Sequence, residues 1–121
     1  MSLRLDGGGS RGQALSNDGG ATFEWSAPTI PNWVGGVQQP LITLANGTLV
    51  YAAPTGPGRS KITVFTSDDD AATWQALRQI YDGPSAYSSL AQRSDGAVAL
   101  AYERDVDGCD GESCSIQFTM L

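Results

Sequence analysis

The sequence predicts an all-β protein, a partial β-propeller of about two to three four-stranded antiparallel blades. The first observation is a repeated pattern, Ser-x-Asp-x-Gly-x-Thr-aromatic, which begins at Ser16 and again 51 residues later at Ser67. The second is a pair of hairpin signals, Asn46-Gly47 and Asp95-Gly96, which lie 49 residues apart. The third is the composition, because 15 glycines and 6 prolines in 121 residues are typical of short strands joined by tight turns. A repeat of about 50 residues in such a chain is typical of propeller blades.

The repeated pattern has a physical explanation as a hairpin turn. We call its copies box 1 (residues 16–23) and box 2 (residues 67–74). The Asp carboxylate can accept backbone N–H groups across the turn, and Gly supplies backbone angles that other residues avoid. The final aromatic side chain can pack beneath the next strand. Box 2 has Ala71 at the Gly position. Both boxes therefore predict architecture and carry no chemistry.

The strands follow one another without a helix. The predicted strands cover residues 12–15, 23–25, 41–44, 48–52, 62–65, 77–81, 90–92, 97–102 and 114–120, and a loop is predicted at 54–58. This order divides the chain into the end of one blade with box 1 (1–34), a full blade with box 2 (35–82) and a last, incomplete blade (83–121). A complete propeller is longer, so the chain is expected to be part of a larger molecule.

Composition excludes several functions. The net charge of −6 disfavours nucleic acid and anionic membranes as partners. The absence of histidine excludes His-based triads and His-ligated zinc within this chain. No stretch approaches the roughly 20 apolar residues of a membrane span, and the residues after Met1 do not form a signal peptide. Localisation is not determined, although a secreted or cell-surface parent protein is favoured.

Neither a metal nor a cofactor is expected. The only cysteines, Cys109 and Cys114, are too few for a zinc site, and either free thiols or a small disulfide would explain them. Asp105, Asp107 and Asp110 do not have the spacing of an EF-hand loop and are expected to form a solvated acidic loop.

Residues outside the boxes carry a family resemblance. Residues 83–90 (GPSAYSSL), 94–96 (SDG) and 100–103 (LAYE) resemble the C-terminal part of the exo-α-sialidases, or neuraminidases. Arg59 ahead of box 2 and Arg4 ahead of box 1 resemble the arginine-bearing strands of that family. The resemblance covers essentially the whole chain and implies part of a six-bladed sialidase propeller with Asp-box (BNR) repeats.

The resemblance also implies roles for four residues. Tyr87 matches the tyrosine nucleophile, and Glu103 matches a glutamate that orients an arginine of the N-terminal blades. These two residues are the predicted catalytic pair. Arg4 and Arg59 match two of the three arginines that hold the substrate carboxylate. The family's glutamate base and acid/base aspartate belong to upstream blades.

Three departures from the family pattern bear on these roles. Ser2 stands where many relatives have Asn, which makes Arg4 a weaker match than Arg59. Pro40 replaces a small polar residue that is common in the family, and Ala71 replaces the box glycine.

Each predicted role has a simpler alternative. Tyr87 could be a half-buried strand tyrosine, and Arg59 a solvated loop residue. Arg11 competes with Arg4, and Glu103 could pair at the surface near Arg104. If the roles are right, the four predicted residues should converge at one end of the propeller, with Tyr87 within about 10 Å of Arg59.

The predicted function is that of the C-terminal part of an exo-α-sialidase, inactive alone. Its predicted partners are sialylated glycans and the N-terminal blades of the same protein. The alternatives are a non-catalytic Asp-box module that binds carbohydrate or protein, and a truncated remnant of an enzyme.

Overall fold

The computed structural model describes residues 2–3, 12–26, 29, 37–105 and 115–121. The described part contains ten strands and no helix. The strands are β1 (Ser2–Leu3), β2 (Gly12–Leu15), β3 (Glu24–Ser26), β4 (Leu41–Thr43), β5 (Leu49–Gly56), β6 (Ser60–Ser67), β7 (Gln75–Pro84), β8 (Ser88–Gln92), β9 (Val98–Arg104) and β10 (Ser115–Met120). They form three antiparallel sheets in the orders β1-β2-β3, β4-β5-β6-β7 and β10-β9-β8, which we call sheets A, B and C. The predicted all-β partial propeller is therefore confirmed.

The two central strands of sheet B, β5 and β6, are buried on both faces, and successive residues of each strand point to opposite sides. On one face, side chains of β5 and β6 pack with those of sheet C. This cluster comprises Val50, Ala52, Ile62, Val64, Leu90, Val98, Leu100 and Tyr102. On the other face, Tyr51, Ala53 and Phe65 form a second cluster with Leu41 and Trp74. Sheets B and C are thus held together by a shared apolar core, and their strand ends are fixed relative to one another.

The boxes are hairpin turns, as predicted. Box 1 joins β2 to β3, and box 2 joins β6 to β7. In box 2 the Thr73 amide and hydroxyl both donate to the Asp69 carboxylate, at 2.9 and 2.6 Å. In box 1 the Thr22 amide and hydroxyl donate to Asp18 at the same two distances. The repeated sequence pattern is therefore one repeated set of hydrogen bonds.

One predicted loop is wrong. Residues 54–56 were expected to begin a loop, but β5 continues to Gly56 and Pro54 pairs with Ile62 of β6. The Ala52 amide donates to the Pro40 carbonyl. The nitrogen of Pro54 points to the same side, where it lies beyond Leu41, the first residue of β4. The missing N–H of Pro54 therefore falls on the side where β4 does not reach, and Pro54 still pairs with β6 on its other side. The actual β5–β6 turn is residues 57–59.

Among the described residues, no helix is long and apolar enough to cross a lipid bilayer.

Candidate functional site

Arg59 lies at the tip of a three-residue turn between β5 and β6. Gly56 pairs with Ser60 across the base of this turn. The Ser60 hydroxyl donates to the Pro57 carbonyl at 2.9 Å, and Gly58 has a φ of +65°, which glycine adopts without strain. A β-carbon on Gly56 would overlap the Ser60 side chain. The turn is therefore a tight hairpin, and it places Arg59 at the end of sheet B.

Tyr87 lies in the short segment that crosses from β7 of sheet B to β8 of sheet C. This crossover comprises residues 85–87. Its first amide, that of Ser85, donates to the Arg59 carbonyl at 2.6 Å. Ser85 and Ala86 are buried, whereas Tyr87 is 40% exposed. The crossover is therefore hydrogen-bonded to the turn at residues 57–59, and the Tyr87 phenol is accessible to solvent.

Glu103, near the end of β9, holds the other side of the crossover. Its amide donates to the Tyr87 carbonyl at 2.9 Å, and its carboxylate Oε2 accepts the Tyr87 amide at 3.0 Å. The alternative pairing of Glu103 near Arg104 is not observed, since Arg104 contacts Asp105 instead, with Nε 3.1 Å from Oδ2. Glu103 thus fixes the backbone on both sides of the Tyr87 side chain.

The structure brings Arg59, Tyr87 and Glu103 together. The guanidinium Cζ of Arg59 lies 5.8 Å from the centroid of the Tyr87 ring, within the range of a cation–π contact. Tyr87 and Glu103, but not Arg59, line a shallow depression of about 230 Å³ that also includes Ser88. An always-charged guanidinium beside an exposed phenol can hold an anionic ligand against a nucleophilic oxygen.

This three-residue cluster and box 2 lie at opposite ends of sheet B. Strand β6 begins at Ser60, next to Arg59, and ends at Ser67 in box 2. Strand β8 begins next to Tyr87 and leads to the Asp95-Gly96 turn at its far end. Box 2 is therefore too distant to contact a ligand bound at Tyr87.

Several predicted positions lie outside the described residues: Arg4, Arg11, Asp107, Cys109, Asp110 and Cys114. Their predicted roles stay predictions. In the described ranges, no group of three or more acidic, cysteine or histidine side chains is arranged to hold a metal ion.

Sequence reasoning missed a contact beside the site. The Tyr81 hydroxyl, on β7, donates to the Asp105 carboxylate at the end of β9. The Arg104 guanidinium stacks on the Tyr81 ring with Cζ 4.5 Å from the centroid. Gly83 leaves room for this contact, because a β-carbon there would overlap the Tyr81 hydroxyl. Nothing in the sequence indicated that Tyr81 reaches a residue 24 positions away.

Comparison with solved structures agrees with this architecture. The leech intramolecular trans-sialidase, solved with 2,7-anhydro-Neu5Ac prepared by soaking with 3'-sialyllactose, superposes with a TM-score of 0.67 over 99% of this chain and 22% of that one, at 16% identity. The intramolecular trans-sialidase from Ruminococcus gnavus, in complex with oseltamivir carboxylate, gives a TM-score of 0.60 over 85% of this chain and 27% of that one, at 21% identity. The fold is that of part of a sialidase propeller.

Comparison of the sequence with protein families identifies the family of this chain. The profile of the BNR repeat-like domain matches residues 1–100. The chain therefore belongs to the BNR repeat-like domain family. Comparison with curated protein sequences finds no match.

Proposed function

We propose that this chain is the C-terminal portion of an exo-α-sialidase, a glycoside hydrolase that releases terminal sialic acid from glycoconjugates. The observation that carries the proposal is the contact of Arg59, Tyr87 and Glu103 at one end of sheets B and C. The chain spans only 22% and 27% of the two trans-sialidases described above, so a complete site requires further blades.

The chemistry of sialic acid explains why a tyrosine would act here. The sugar carries a carboxylate on its anomeric carbon, which repels a carboxylate nucleophile, and sialidases are an exception that uses tyrosine instead. In the proposed reaction the Tyr87 oxygen attacks the anomeric carbon and the glycosidic bond breaks, while an acid from another blade protonates the leaving oxygen. Water then attacks the same carbon and cleaves the bond between the sugar and the tyrosine oxygen, so the configuration is retained. Because a phenol has a pKa near 10, a base from another blade must accept its proton.

Arg59 and Glu103 have supporting roles in this proposal. The planar guanidinium of Arg59 can bind the substrate carboxylate bidentately, and we propose the same role for Arg4. Glu103 holds the nucleophile by the backbone of Tyr87, because the Glu103 carboxylate accepts the Tyr87 amide. We propose that the same carboxylate also pairs with the arginine contributed by the N-terminal blades.

The experiment is the replacement Tyr87→Phe in the longer parent protein. It removes only the phenolic oxygen, so sialoside cleavage should fall by several orders of magnitude while binding of a sialylated glycan persists. Tyr102→Phe is the matched control, because it removes the same atom from a tyrosine that is buried in the core between sheets B and C. The control should retain turnover. Analysis of the sugar product, as free or anhydro sialic acid, separates hydrolysis from intramolecular transfer.

Two results would overturn this function. Unchanged turnover in Tyr87→Phe would remove Tyr87 from the mechanism. A wild-type parent that binds sialylated glycans and leaves them intact would instead identify a non-catalytic Asp-box module.

A further inference from the structure

The crossover that carries Tyr87 is fixed at both ends by backbone hydrogen bonds to neighbouring elements. At its start, the Asp105 amide donates to the Pro84 carbonyl at 2.8 Å, and the Ser85 amide donates to Arg59. At its end, Tyr87 exchanges hydrogen bonds with Glu103. The position of the phenol therefore depends on how the end of β9 sits against the end of β7.

A side-chain contact joins these two strand ends directly. Tyr81 is three residues before the end of β7, and its hydroxyl donates to the Asp105 carboxylate, just after the end of β9. Asp105 has a φ of +59°, a left-handed conformation in which aspartate is found more often than most residues with a β-carbon. Arg104 lies over the Tyr81 ring and pairs with the same carboxylate. This hydrogen bond raises the pKa of Tyr81.

We propose that Tyr81 and Asp105 are positioning residues that hold the Tyr87 crossover in register with Glu103. The inference rests on the proposed function for its catalytic consequence, but its structural content is independent of any activity. Tyr81 ties sheet B to the segment that immediately follows Glu103, so the two strands that fix Tyr87 cannot slide apart while this contact is intact. Gly83 is required for the Tyr81–Asp105 contact, because a side chain there would displace the Tyr81 hydroxyl.

The first test measures amide hydrogen exchange in the 121-residue chain. In Tyr81→Phe the amides of Tyr87 and Glu103 should exchange faster by about tenfold, the equilibrium effect of one lost hydrogen bond. The amide of Val64, in the core of sheet B, should be unchanged. Tyr102→Phe is the control, since its ring lies 6.3 Å from that of Tyr81 and it loses the same atom. Equal protection of Tyr87 in wild type and Tyr81→Phe would overturn the proposal.

Further variants separate the hydrogen bond from a general loss of stability. Asp105→Ala should increase exchange at Tyr87 as Tyr81→Phe does. Asp105→Asn should restore protection, because asparagine retains an acceptor oxygen and tolerates a positive φ. Gly83→Ala should resemble Tyr81→Phe. If Asp105→Asn were as unprotected as Asp105→Ala, the Tyr81 hydrogen bond would not be the cause.

The catalytic consequence is tested in the longer parent. Tyr81→Phe should lower kcat by about tenfold or more with little change in KM, because misplacing a reacting group affects the chemical step more than ground-state binding. An unaltered kcat would overturn the positioning role. If Tyr87→Phe has no effect on turnover, the proposed function fails, whereas the exchange result still decides whether Tyr81 and Asp105 hold the crossover.

Discussion

At the scale of single residues, Ala71 is a position where the chain departs from its own repeat. Its φ is +68°, and Gly20 at the same position of box 1 has a φ of +94°. The turn therefore keeps the left-handed conformation although its residue has a β-carbon. The surrounding bonds impose this conformation, since the Ala71 amide donates to Ser67 at 3.1 Å and its carbonyl accepts the Thr29 hydroxyl.

Replacing Ala71 by glycine is expected to stabilise the chain. A left-handed conformation costs an L-residue roughly 1–2 kcal/mol, and the greater flexibility of glycine in the unfolded state offsets part of the gain. We expect the free energy of unfolding in urea to rise by about 0.5–1 kcal/mol. Ala72→Gly is the control, because Ala72 is not among the residues with positive φ, and it should destabilise the chain. A loss of stability in Ala71→Gly would show that the turn is not strained.

At the scale of elements, the two boxes are stabilised by ionised aspartates. Hydrogen bonds from the Thr73 hydroxyl and amide lower the pKa of Asp69 from 3.8 to about 2. The corresponding bonds from Thr22 lower the pKa of Asp18 below its usual range. Each box therefore favours the folded chain only while its aspartate is charged.

Stability is expected to fall in acid because of these boxes. A carboxylate with a lowered folded-state pKa stabilises the fold above its unfolded value, near pH 4, and loses that contribution as the pH falls through about 2. The melting temperature should therefore drop between pH 4 and pH 2. In Asp69→Asn it should be lower than wild type at pH 7 and approach wild type at pH 2. Asp70→Asn, one residue away, should keep the wild-type dependence; the same flattening there would contradict the assignment to Asp69.

Elements whose signals are local could be predicted from sequence, and contacts between distant residues could not. Both boxes and the Asn46-Gly47 hairpin depend on residues within a few positions of each other, and all three are where the sequence predicts them. Pro54 misled the prediction because proline usually ends strands, and only the pairing partner shows that its missing N–H costs nothing here. The approach of Arg59 to Tyr87 depends on two sheets packing, so only family resemblance could anticipate it.

At the scale of the whole molecule, the described residues form three sheets, and a shared core joins sheets B and C. Ile116 and Phe118, on the edge strand β10, are 69% and 67% exposed. In a closed propeller such side chains would face the next blade. The proposed site likewise needs an acid for the leaving group from other blades, because the Glu103 carboxylate is the acceptor of the Tyr87 amide.

We therefore expect the 121 residues alone to leave sialosides intact. General acid–base assistance contributes about 10²–10⁴-fold to such reactions, and substrate positioning contributes more. Losing both should bring the rate close to that of the uncatalysed reaction. Incubation of the purified chain with a fluorogenic sialoside, beside an active sialidase as positive control, measures this. Turnover by the chain that disappears in Tyr87→Phe would show that these 121 residues already contain a working site.

The separation of box 2 from Tyr87 has a practical consequence for labelling this protein. The eight residues of β6 hold box 2 about 23 Å from the turn at residues 57–59, at the rise of an extended strand. A dye, spin label or affinity tag attached to an exposed residue of box 2 would lie at the end of sheet B away from the candidate site. Large glycans could then approach Arg59 and Tyr87 unhindered, and immobilised protein would present that end to solution.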